Sequence, residues 1–205
     1  MMFDIKDIAI KNVNIEVILS DIFTEFPEFF FDLIGKPQVN SSLYNFLAQE
    51  TKEQDFCLDG IFYPHQDYPH EILYFVEFQC YQYEEFYDKI FPKIFLYFQQ
   101  YNPPNQDWRA IVIYDRRSRE TKCPPRYLGL VDNHLLRFYL DEIDFKASQS
   151  LGLGIIKLVV EEKDKFEELG QLLIERAKEE LTEFVYRERV ISLIENILKK
   201  RLANG

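Results

Sequence analysis

Two short runs rich in β-formers, Phe56–Tyr63 and Ile72–Cys80, flank the polar segment Pro64-His65-Gln66-Asp67-Tyr68-Pro69-His70-Glu71. Two prolines bar that segment from a strand or helix interior, so it is a turn or loop. Two strands joined this way read as an antiparallel hairpin. A loop over 64–71 pairs Tyr63 with Leu73, Ile61 with Phe75 and Asp59 with Glu77. The register matters because a slip of one residue turns every side chain to the opposite face of the sheet.

The rest of the chain surrounds this hairpin with helices and further strands. Residues 17 to 34 place apolar groups at roughly helical spacing. Pro27 separates a short helix from a second that starts at Glu28 and stops near Gly35-Lys36-Pro37. Tyr44–Glu50 reads as a weak strand. Tyr83–Tyr101 reads as a long amphipathic helix kinked at Pro92 and ended by Asn102-Pro103-Pro104-Asn105. Its Phe and Tyr residues recur at helical spacing and belong to a core. Trp108–Tyr114 and Leu135–Leu140 read as further strands, the first almost wholly apolar and therefore central. From Glu161 onward the period returns to 3.6. Phe166, Leu169, Leu172, Leu173, Ala177 and Leu181 mark one helical face, and Val190, Leu193, Ile194, Ile197 and Leu198 mark another. The expected fold is mixed α/β, a central mixed β-sheet flanked by helices. Residues 1–160 form the core, and 161–205 form a C-terminal helical extension packed on the same domain, whose apolar faces suit a homodimer interface.

Bulk properties narrow the class. The chain has 205 residues, enough for one core. No stretch approaches the ~20 uncharged apolar residues that cross a bilayer. Met1–Lys11 interleaves charges with its apolar residues, unlike a secretory signal. Cys57, Cys80 and Cys123 are unpatterned and read as reduced thiols, so a cytoplasmic protein is expected. The net charge of -11 opposes nucleic-acid binding unless Lys and Arg cluster and a divalent cation screens the rest.

The hairpin register places Asp59 and Glu77 opposite each other, with Cβ atoms about 5 Å apart. Glu77 and Gln79, two apart on one strand, share a face. Facing carboxylates repel unless something positive lies between them. Mg²⁺, or Mn²⁺ in its place, resolves that repulsion, because hard cations take oxygen ligands and often use one or two carboxylates. The backbone carbonyl of Phe78 is placed to add a ligand. The competing reading is two solvent-facing acids on a half-exposed hairpin. His65 and His70 read as exposed loop histidines, because no third ligand accompanies them. Cys80 reads as a buried thiol, and Lys199-Lys200-Arg201 as cations at a helix C-terminus. Arg116-Arg117-Ser118-Arg119 is the best basic cluster, either a phosphate contact or a solvated loop.

Leu58-Asp59-Gly60-Ile61-Phe62, Tyr74-Phe75-Val76-Glu77-Phe78-Gln79, Phe86-Tyr87 and Ile94-Phe95-Leu96-Tyr97 together resemble the Rpn family of recombination-promoting nucleases and transposase-like proteins. That family lies within the PD-(D/E)XK superfamily. Asn102-Pro103-Pro104, Asp107–Tyr114 and Tyr139-Leu140-Asp141-Glu142 resemble one uncharacterised branch, and the likeness covers residues 20 to 160. It implies a restriction-endonuclease-like core and Mg²⁺-dependent hydrolysis of DNA phosphodiester bonds, in recombination or transposition. Asp59 and Glu77 would hold the metal, with Phe78 through its carbonyl, and Glu28 resembles the acidic helix residue that assists the metal in some members. Arg116, Arg117 and Arg119 would contact DNA. Gln79 stands where the superfamily has Lys; it can orient a water but carries no charge. A nuclease fold that has lost catalysis and serves binding or assembly is the alternative.

Overall fold

The computed structural model describes residues 5–48, 58–145, 149–162 and 164–203. Helix α1 spans Ile5–Glu25 and α2 spans Pro27–Leu33. Pro27 occupies the first helical position, where its missing N–H has no partner to lose and its fixed φ suits the turn. It therefore begins the second helix instead of preceding it.

Five strands follow: β1 Tyr44–Ala48, β2 Gly60–Pro64, β3 Leu73–Gln79, β4 Trp108–Tyr114 and β5 Leu135–Tyr139. They lie in the sheet in chain order. The pairs β1–β2 and β2–β3 are antiparallel, whereas β3–β4 and β4–β5 are parallel. In the hairpin Ile61 faces Phe75, flanked by Gly60 opposite Val76 and Phe62 opposite Tyr74, the register expected from the loop. Its first strand is shorter than expected. Phe56 and Cys57 lie outside the described residues, and Asp59 sits in a bend just before β2, not in mid-strand. An added Cβ at Gly60 would overlap the Phe46 ring of β1, so glycine is what lets the two strands close beside Asp59.

Helices α3 (Phe86–Tyr101), α4 (Leu128–His134), α5 (Leu151–Val160), α6 (Phe166–Glu180) and α7 (Phe184–Ala203) complete the fold. Successive side chains of a strand point to opposite faces, which divides the core in two. Leu73, Phe75, Ile61, Ala110 and Val112 meet α3 and α4 on one face. Tyr74, Val76, Phe78, Phe62, Ile111 and Ile113 meet α1, α2, α5, α6 and α7 on the other. Rings fill much of the second layer; Phe62 stacks on Phe30 at 4.0 Å between centroids. The apolar faces expected to suit a dimer are largely used within the chain. Leu173, Ala177, Val190, Ile194 and Ile197 are buried in the same core as α1 and α2. Among the described residues, no helix is long and apolar enough to cross a membrane.

Candidate metal centre at the end of the hairpin

The end of β2 creates the site. In a strand, the N–H and C=O of one residue point to the same side, and successive residues alternate. Gln79 accepts from Asp115 N through its carbonyl, so its backbone faces β4. Phe78 therefore faces β2. Because β2 begins at Gly60, the Phe78 N–H has no ladder partner there, and the Asp59 carboxylate accepts it instead at 2.7 Å. The Phe78 carbonyl points to that same side, toward the space beside Asp59.

Glu77 turns toward α3, where Lys93 donates to its Oε1 at 3.0 Å. Both side chains are mostly enclosed, Lys93 18% and Glu77 13% exposed. The other oxygen, Glu77 Oε2, is buried without a hydrogen-bond partner. Burial pushes the Glu77 carboxyl up to about 8, the charge of Asp59 adds to this, and Lys93 opposes it. Asp59 is likewise raised by burial, offset by the Phe78 N–H and by Lys93. One ammonium thus faces two acids, and with Glu77 raised to about 8 the cluster retains a proton near neutral pH where a second cation would otherwise be needed. Lys93 was not singled out in the sequence, because its position on a helix gives no hint of which strand residue it will meet.

The structure gathers Asp59, Glu77, Phe78 and Gln79 at the carboxyl end of β3. Gln79 is only 3% exposed. Its Nε2 donates to the carbonyl of Tyr81 at 2.7 Å. Cys80 is buried, and its thiol is raised by burial and then by Glu16, Asp115 and Asp59, which keeps it protonated. His65 and His70 are both exposed in the hairpin loop.

The remaining candidates are placed elsewhere. Glu28 on α2 accepts from the Tyr186 hydroxyl at 2.6 Å, tying it to α7. Glu16, Asp21 and Glu25 of α1 are the helix acids that line the same cleft as Asp59. Of the basic cluster, Arg119 and Arg116 lie 3.5 and 3.9 Å from Asp115. Arg117 is bound to Glu142 and stacks on the Tyr139 ring. All three arginines are thus committed to acids, although Asp115 brings two of them, Arg116 and Arg119, to the Gln79 end of the sheet.

A cleft of about 770 Å³ opens over Asp59 and Phe78, walled by α1 on one side and α7 on the other. Among the described residues, no group of three or more His, Cys, Asp or Glu side chains is close enough to hold a metal ion. Glu77, turned toward α3, is not among the residues lining this cleft; a cation shared with Asp59 would use the two carboxylates, the Phe78 carbonyl, water and substrate. That sparse set is what Mg²⁺ ordinarily accepts, and the orphaned Glu77 oxygen fits it.

No curated protein matches the chain, and no solved structure matches it. The family model for Protein of unknown function (DUF2887) matches residues 16–205, which takes in Glu16, the sheet and the C-terminal helices. The chain belongs to that family.

Proposed function

We propose that the protein is a Mg²⁺-dependent nuclease, with Mn²⁺ able to substitute, that hydrolyses DNA phosphodiester bonds at Asp59 and Glu77. The observation that carries this reading is the pair of enclosed carboxylates at the end of the hairpin, one oxygen of which has no partner. Such a pair is costly to hold without a cation and is of the kind that binds one. A bound Mg²⁺ would lower the pKa of a water and polarise a phosphoryl oxygen. Asp59, Glu77 and the Phe78 carbonyl would hold it. Lys93, paired with Glu77, would supply the positive charge that Gln79 lacks. The resemblance to the Rpn nucleases supports the same reading.

The test is nicking of plasmid DNA by purified protein with Mg²⁺, run beside Asp59→Ala and Glu77→Ala. Activity lost in both variants is expected; nicking that survives both assigns it to something else. One observation favours a second reading, a binding or assembly module without catalysis. Lys93 already neutralises one Glu77 oxygen, as a structural cation would. Calorimetry separates the two: heat of Mg²⁺ or Mn²⁺ binding that disappears in Glu77→Ala excludes the module reading, and its absence from the parent protein excludes the nuclease.

A further inference from the structure

Residues 80–85 carry the chain from β3 to α3, and the first of them are tied down by Gln79. The Gln79 side chain shares the face of Glu77, is 3% exposed, and gives its Nε2 to the Tyr81 carbonyl at 2.7 Å. A carboxamide so enclosed and so bound is not free to follow an attacking water. What its hydrogen bond does is local: it spans Cys80 and fixes the backbone as it leaves the strand. Tyr81 sits in that bend and is 46% exposed. Its ring lies 6.1 Å from that of Tyr83, and among the described residues its hydroxyl has no hydrogen-bond partner. Burial, then the charges of Glu16, Glu77 and Asp59, raise the phenol above its ordinary pKa. The hydroxyl is therefore a protonated donor set among the acids of the site.

We propose that the Tyr81 hydroxyl donates a hydrogen bond to a non-bridging oxygen of the phosphate that is cut, and that Gln79 is the positioning residue that holds Tyr81 there. The inference rests on the nuclease reading for the presence of a phosphate at Asp59 and Glu77. A phosphate at that point meets acids from α1, β3 and the bend before β2. Lys93, Arg116 and Arg119 each already answer a carboxylate. A phenol is a donor without charge, so the surrounding acids do not draw it into an ion pair, and it stays available to an anionic oxygen. Fixed in place before the reaction, such a donor acts most strongly on charge that develops at the phosphoryl oxygens. Gln79 then serves the phosphate through Tyr81 and leaves the water to the metal.

The experiment has two arms, both on the full chain. In the first, cleavage of a labelled DNA duplex with Mg²⁺ is followed as kcat and KM. Tyr81→Phe should lower kcat roughly 100-fold with KM little changed, because the donor acts on charge that grows in the transition state. Gln79→Met fills similar space without a donor and should lower kcat too. The double variant should be no slower than Tyr81→Phe alone; losses that multiply would give Gln79 a role of its own and overturn the positioning. In the second arm, fluorine NMR of fluorotyrosine-labelled protein is recorded with Ca²⁺ in place of Mg²⁺, so that contact is read without turnover. The Tyr81 resonance, identified by its loss in Tyr81→Phe, should shift when a short DNA oligonucleotide is added. It should also move in Gln79→Met before any DNA is present. A resonance that ignores the oligonucleotide overturns the contact, and one that ignores Gln79→Met overturns the positioning. The two readings fail separately. Cleavage that needs Asp59 and Glu77 but not the Tyr81 hydroxyl sinks the Tyr81 contact alone. A resonance that answers to DNA in a protein that never cuts it sinks the nuclease and leaves Tyr81 as a phosphate contact.

Discussion

At the scale of single residues, Asp59, Glu77 and Lys93 form an enclosed cluster of two acids and one ammonium, and its stability should respond in opposite directions to different substitutions. Asn at 59 keeps an oxygen for the Phe78 N–H and removes the enclosed charge that helps push the Glu77 carboxyl up. Asp59→Asn should therefore raise the stability of the metal-free protein by about 1 kcal/mol, a few degrees in Tm, while removing divalent-cation binding. A melting temperature that falls would show that Asp59 is not strained in the folded state. Lys93→Met leaves Glu77 enclosed without the ammonium that pairs with it and should cost about 3 kcal/mol in denaturant unfolding. Adding Glu77→Gln to Lys93→Met should restore most of that loss; an additive double variant would mean that the two side chains do not interact. The acids at 59 and 77 and the glutamine at 79 were legible from strand spacing and loop length. Lys93 and Glu16 were not, since a helix residue's partner is set by how the helix docks, which sequence periodicity does not specify.

At the scale of elements, hairpin register and strand alternation came through from the sequence because two prolines fix the loop and a one-residue slip would bury the wrong face. What was lost are two helices, Leu128–His134 and, longer, Leu151–Val160. The longer one is the more telling. It is short and apolar at every position but Lys157, with seven buried residues, so only a single polar residue marks its outer face. Its glycines make its packing possible: an added Cβ at Gly152 would run into Phe29 and Asp32 of α2. The aromatic layer between α2 and the hairpin should be the most sensitive packing in the molecule. Phe62 is fully buried against Phe30, Phe31 and Phe46, and Phe62→Ala should cost about 3–5 kcal/mol, read as a lowered denaturant midpoint at unchanged slope. A loss below 1 kcal/mol would mean that the layer repacks.

At the scale of the whole molecule, the C-terminal helices belong to the core they cover. Val190, Ile194 and Ile197 of α7 are buried with residues of α1, α2 and the sheet, and α7 supplies one wall of the cleft over Asp59. A chain ended after Glu180 should lose cooperative unfolding and expose apolar surface, seen as dye binding and a broadened transition. A truncated chain that melts as sharply as the full one would make α7 an appendage. The family match from residue 16 to residue 205 runs across the same span of structure.

The sequence alone determined the strands, their alternation and the register of the hairpin, because these follow from local periodicity and the length of one loop. Tertiary structure decided the rest: that β2 stops at Gly60 and frees Phe78, that Lys93 comes down from α3 onto Glu77, and that α1 and α7 enclose Asp59 in a cleft. Each of those depends on how elements distant in the chain dock. Docking is governed by summed packing over whole faces, to which no single stretch of sequence holds the key.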